Sequence, residues 1–404
     1  MEEGQSPERR GRPPEHRDMG EGRRSKGRGR PPEMDGGHGS RGGRGPGRRG
    51  GRGGGRRGDD PSNPAQYSGM VEVTDQQTLT DVSLESTKAK TSPLYVKSGG
   101  NLTVKGGRIS SSEEGSNAVL AIGQGAKAFV EDLVIETSAN SSRGLYAFQQ
   151  GEIRAKNVRI STKGAHCAAM ATDRGEGVVS VEGGTLDTAG DGSPCIYSTG
   201  ELSAKDVKGN ATGSEAMVIE GRNSITLEKA DLTGHRKCGA MLYQSFSGDA
   251  REGVAKLKME SCRLAVKTGP MFFVTNTRAE IEVSASELSA ESKDQPLLRV
   301  APARWGREGS NGGSVKLTAR NQKLDGDVEV SSISSATIDL QDGAVLSGTL
   351  DAKGEAKELV VRLAKGAKLV LTGDSRVTRL ENADPSGGNI EKNGHTLVVG
   401  TANL

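Results

Sequence analysis

The sequence contains no long hydrophobic run. The densest apolar cluster is GPMFFV (269–274), far short of the ~18 consecutive apolar residues of a membrane-spanning helix. The opening MEEGQSPERR has no apolar h-region, so no secretory signal is expected from it. Cysteine is scarce as well. Cys167, Cys195, Cys238 and Cys262 show no CxxC or other ligand spacing, which excludes a recognisable zinc site and a dense disulfide framework. Neither a C-terminal membrane barrel nor a wall-sorting tail is visible, so nothing supports a classical autotransporter or a sortase-anchored protein.

What is present is divided unevenly. Residues 1–60 hold 15 Arg and 1 Lys against 10 Asp and Glu, whereas the remaining chain is slightly acidic. The first segment has almost no large apolar residue and cannot offset its ordering entropy by burial, so a disordered Arg/Gly/Pro-rich arm is expected over 1–68. Within it, RRGRPPE (9–15) and GRGRPPE (27–33) carry the Arg-Gly-Arg-Pro core of a minor-groove hook. Residues 41–57 resemble an RGG box that could hold nucleic acid non-specifically. Both hook cores run into Pro-Glu, and the RGG-like run lacks the aromatics that stack on bases. A tether is therefore the favoured reading, with a nucleic-acid-associated arm as the alternative.

From residue 69 onward a repeat organises the chain. Short apolar-x-apolar strands such as LTVKGGRI (102–109), EIRAKNVRI (152–160), VSVEGGTL (179–186) and IDLQDGAV (338–345) return at intervals of 23 to 26 residues. Their anchors are Leu79, Val104, Val130, Ala155, Val181, Ala204, Leu227, Met259, Val283, Leu317, Leu340 and Leu363. Two longer intervals contain one ordinary repeat plus an insertion. The LxxLxLxxN pattern of leucine-rich repeats and a hexapeptide rhythm are both missing. A period near 24 with several short strands and many glycines at the corners predicts an all-β right-handed parallel β-helix of about twelve coils. The expected solenoid runs over 69–375, with a C-terminal cap over 376–404.

A second strand recurs in each coil, as in NAVLAIG (117–123), RGLYAFQQ (143–150), PCIYSTG (194–200) and PMFFVTN (270–276). Alternation divides it into rows. The row Val119, Leu145, Met170, Ile196, Met217, Met241, Phe272, Leu298 is expected to point inward. The rows Leu120, Tyr146, Ala171, Tyr197, Val218, Leu242, Phe273, Arg299 and Ile122, Phe148, Asp173, Thr199, Glu220, Gln244, Thr275, Ala301 are expected to face outward as an aromatic stripe beside a polar ladder. The insertions SFSGDAREG (245–253) and PARWGREGSNGG (302–313) leave from the end of this strand, and insertions on one face of a solenoid often build its binding surface.

The run TAGDGSPCIYSTGELSAKDVKGNATGSEAMVIEGRNSITLEKADLTG, with MLYQSFSGDAREG, GPMFFVTNT, NGGSVKL and LTGDSRVTRL after it, resembles a group of bacterial adhesin-like right-handed β-helix proteins. That group is broadly similar in architecture to pectate-lyase-type solenoids. The resemblance covers roughly residues 70–400. It implies a protein of the cell surface or extracellular space; cytoplasmic residence is the alternative.

Chemistry is sparse on this scaffold. The NTD, paired-Asp, GHG and RIK series of polygalacturonase-like enzymes is missing from the coils. Asp173 and Glu220 would stand two coils apart, roughly 9–10 Å, a separation like that of an inverting glycosidase pair. Without further support they read as two solvated carboxylates. His166, His235 and His395 read as isolated corner or terminal residues, and Cys195 as a small core filler. No catalytic residue, metal ligand or cofactor is assigned. The expected function is non-catalytic binding of a polysaccharide or cell-surface protein through Tyr146, Phe148, Asp173, Tyr197, Glu220, Gln244, Phe273 and Trp305. A carbohydrate-active enzyme is the rival.

Overall fold

The computed structural model describes residues 63–403. The hook-like and RGG-like stretches of the expected arm lie outside the described residues. A single 3₁₀ turn, Pro64–Gln66, precedes a chain built otherwise of strands. No helix among the described residues is long and apolar enough to cross a membrane.

Each turn contributes a short strand to one parallel sheet and a longer strand to a second. The face sheet stacks eleven strands from Ser68–Val73 to Val328–Val330; the bent sheet follows a path of thirteen strands from Gln76–Ser86 to Arg379–Asn382. The protein is therefore an all-β, parallel β-helix of the right-handed type, with about thirteen turns. Stacking continues to Leu397–Val399, which pairs in parallel with Ser375–Val377 and antiparallel with Ala402–Asn403.

The anchors fall in one row of the bent sheet from Leu79 through Val283. The expected next anchor, Leu317, lies two residues out of register: Ala319 pairs with Val283 and with Leu340. An insertion precedes this strand, and its all-apolar alternation SVKLTA offers two equivalent positions. The inward residues form one continuous core from Val73 to Leu397.

The bend has a local cause. Each turn up to Asp231–Gly234 takes a left-handed conformation at the bend. Asp81, Gly106, Asp132, Asn157, Gly183 and Asp206 within the long strand and Lys229 between Ser224–Glu228 and Asp231–Gly234 all have φ between 48° and 76°, with Gly107 and Gly184 also positive. A left-handed residue shifts the inward alternation by one place, so Val104 and then Ile109 both reach the core. Aspartate, asparagine and glycine tolerate this conformation best. The next corner is tied by side chains. The hydroxyls of Ser86, Ser111, Thr137, Thr162 and Thr188 each donate to the carbonyl five residues ahead. Ser116, Ser142 and Ser193 donate back to the preceding turn, and Cys167 occupies the same column with its thiol.

Candidate functional site

The outer side of the face sheet carries the aromatic residues, but one register correction changes its rows. Met217 pairs with Ala240 rather than Met241, and Glu220 with Tyr243 rather than Gln244. Leu242 therefore points into the core, Met241 turns outward, and Tyr243 replaces Gln244 on the ladder. The stretch AMLY is apolar throughout, so alternation alone could not fix its phase. The 23-residue spacing common to neighbouring anchors was the available signal.

A second correction concerns exposure. The stripe does not face open solvent: Tyr146 is 1 % exposed, Phe148 0 % and Phe273 3 %. Tyr95, Leu120, Ile122, Tyr146, Phe148 and Ala171 form a separate apolar cluster on the outer side of the sheet. Tyr146 and Phe148 lie 5.1 Å apart on one strand, in-register Leu120, Ile122 and Ala171 pack beside them from the neighbouring turns, and further groups complete the cover. Tyr67 packs edge-on against Phe148 at 5.9 Å, and the Arg143 guanidinium lies 4.4 Å above the Tyr146 ring. The Tyr146 hydroxyl donates to Asp173 at 2.5 Å, and the Arg174 amide donates to the other oxygen of Asp173 at 2.7 Å. Asp173 is thus half-buried and engaged rather than solvated.

Glu220 is more enclosed still, at 1 % exposure. Oε2 accepts from Tyr197 at 2.6 Å and from Tyr243 at 3.0 Å, the two phenols lying 3.2 Å apart. Oε1 accepts from Ser245 and, at 3.4 Å, from Ser247. These serines begin the first insertion, which folds back over the sheet. Asp249 pairs with Arg174, the Arg222 amide donates to the Arg251 carbonyl at 2.9 Å, and Gln244 Nε2 donates to the Ala250 carbonyl at 3.1 Å. Burial raises the pKa of Tyr197 and Tyr243 well above the usual phenol value. The neighbouring phenol and then Glu220 add to this for Tyr197; Glu220 adds to it for Tyr243. Both phenols remain protonated donors.

The two insertions meet at the end of the face sheet. Trp305, half-buried, stands 5.6 Å from the Tyr243 ring and 6.1 Å from Phe246, which is 67 % exposed. The Arg304 guanidinium lies 4.3 Å over the Trp305 ring. Asn311 fixes the second insertion by donating to the Ala303 and Trp305 carbonyls, each at 2.8 Å. A polar groove of ≈ 370 Å³ adjoins the same loops, lined by Gln244, Glu252, Asn276, Arg278, Ser314 and Lys357 among others. The amide oxygen of Gln244 is buried without a hydrogen-bond partner among the described residues.

Of the sequence candidates, the structure gathers Tyr197, Glu220, Gln244 and Trp305 around the insertions. Tyr146, Phe148 and Asp173 belong to the covered cluster of the two turns before Tyr197, which packs against it. Phe273 lies between Met241 and Arg299 in the outward row. Tyr243, Ser245, Ser247 and Phe246 were not singled out in the sequence, because their role depends on how a loop folds back. Among the described residues no group of three His, Cys, Asp or Glu is placed to hold a metal ion. Cys195 is a core residue, and His235 shares a 2.7 Å hydrogen bond with Asn210.

The architecture defines a parallel β-helix protein with an elaborated face. No family model matches the chain, and neither a curated protein nor a solved structure matches it.

Proposed function

We propose that this is a non-catalytic, adhesin-like solenoid of the cell surface or extracellular space that binds glycan at the Phe246–Trp305 corner and along the adjoining groove. The observation that carries this reading is the convergence of two insertions from turns two apart in the stack, which leaves one ring well exposed beside a second. Exposed rings stack on the apolar faces of sugars, and the groove supplies amides, hydroxyls and two cations without a salt bridge among the described residues, Arg278 and Lys357. Binding rather than hydrolysis is favoured because neither member of the carboxylate pair singled out in the sequence, Asp173 and Glu220, is free for proton transfer. Glu220 is enclosed by four hydroxyl groups, and Asp173 is held by Tyr146 and Arg174. The location rests on the sequence resemblance.

A glycan array probed with the full chain and with a Phe246→Ala/Trp305→Ala variant tests the proposal. The variant should lose at least about tenfold in affinity for whatever the parent retains. A folded parent that binds no glycan, or a variant that binds as well as the parent, refutes it.

A further inference from the structure

We infer that Glu220 is a buried positioning residue, a clasp that holds the Phe246–Trp305 corner together without itself touching ligand. Both ring neighbours of Trp305 depend on this one carboxylate. Oε2 fixes the Tyr243 hydroxyl, and Tyr243 forms one wall against Trp305. Oε1 fixes Ser245 and Ser247, and Phe246 is the residue between them. One oxygen thus faces the sheet and the other faces the insertion.

The two sides are coupled. Ser245 and Ser247 also lie 2.6 Å apart, and Tyr197 touches both Tyr243 and the carboxylate. Lifting the insertion would leave a buried charged oxygen without its donors, which is costlier than the loss of an ordinary surface contact. The far end of the insertion is fastened separately, by the partly exposed Arg174–Asp249 pair and by the bonds to the Ala250 and Arg251 carbonyls, so the clasp governs the near end that carries Phe246. Asn311 holds the second insertion, and its carbonyl accepts from the Asn276 amide at 3.1 Å while Asn276 Nδ2 donates to the Gln244 carbonyl at 2.8 Å; these bonds tie the feet of the two loops and do not reach Phe246. The placement of ligand at this corner rests on the glycan reading; the clasp does not.

Trp305 is the sole tryptophan of the chain, so its fluorescence reports on this corner alone. In the full-length protein, a Ser245→Ala/Ser247→Ala variant removes the insertion's side of the clasp and leaves both sheets unaltered. Losing two hydrogen bonds to a carboxylate should shift the closed-to-open balance by on the order of tenfold or more. The expected result is stronger acrylamide quenching of Trp305 and a matching loss of glycan affinity, with the far-ultraviolet β signal retained. Glu220→Gln, which keeps one acceptor oxygen, should shift quenching in the same direction. If Glu220→Gln fails to fold, the serine variant decides alone. Unchanged Trp305 quenching in the serine variant overturns the inference, as does a lowered melting temperature with Trp305 unaffected, which would make Glu220 a packing group only. A parent that binds no glycan refutes the functional proposal while quenching still decides the clasp.

Discussion

At the scale of single residues, the tyrosines show how the outer face became an interior. Burial holds the Tyr146, Tyr197 and Tyr243 phenols well above their usual pKa, and pushes Tyr95 up to about 12 with a further contribution from Glu72. Burial raises Tyr67 as well. An unfolded tyrosine ionises near pH 10, so the stability these groups confer is complete below about pH 10 and declines as pH rises above it. For Tyr146 and Tyr243 the decline is about 1.4 kcal/mol per pH unit each. In an alkaline titration, phenolate absorbance from the most deeply buried tyrosines should therefore appear together with loss of the β-sheet signal. A smooth titration of all five near pH 10 with the fold intact would show that the face is open to solvent.

At the scale of the strand, register is written in charge as well as in hydrophobicity. On the outside of the bent sheet, one row reads Lys105, Glu131, Lys156, Glu182, Lys205, Glu228 in consecutive turns. Lys105 and Lys156 both approach Glu131, and Lys205 reaches Glu228 at 2.9 Å. A slip by one turn would retain the apolar pairing yet set like charges against each other. Lys156→Glu places three carboxylates side by side and should destabilise by about 0.5–1 kcal/mol. Because the row is exposed, that penalty should shrink with added salt; a thermal midpoint deficit that persists unchanged at high salt would point to a different cause. The alternation of strands such as LTVKGGRI made the bent sheet legible in the sequence, since one face is core and the other water. The face sheet was harder. VLAI and LYAF are buried on both sides, so inward and outward rows look alike, and the AMLY strand slipped by a residue for that reason. The two insertions and Trp305 were legible as part of a binding face, but the meeting of Phe246 with Trp305 and the serines of the clasp were not, because periodicity says where a loop leaves the stack and not where it returns.

At the scale of the whole molecule, the core is continuous but each turn meets only its two neighbours, so stability is close to a sum of turns and interfaces. Amide hydrogen exchange should be slowest in the middle, over Met217–Glu220 and Ser224–Glu228, and fastest at Ile390–Glu391 and Leu397–Val399, which have fewer stacked turns beyond them. Uniform protection along the stack would instead indicate one all-or-none unit. The unbroken order of strands in the bent sheet also fixes how the molecule bears a load. The chain enters at one end of the pile and leaves at the other, and the backbone hydrogen bonds run along the line between them. Tension between the ends pulls each bond lengthwise, one strand at a time, and does not shear many together. A terminal turn of about 24 residues would peel away and release about 80 Å of slack while the turns beneath stay folded. The stack would yield in instalments and rewind when the pull relaxes.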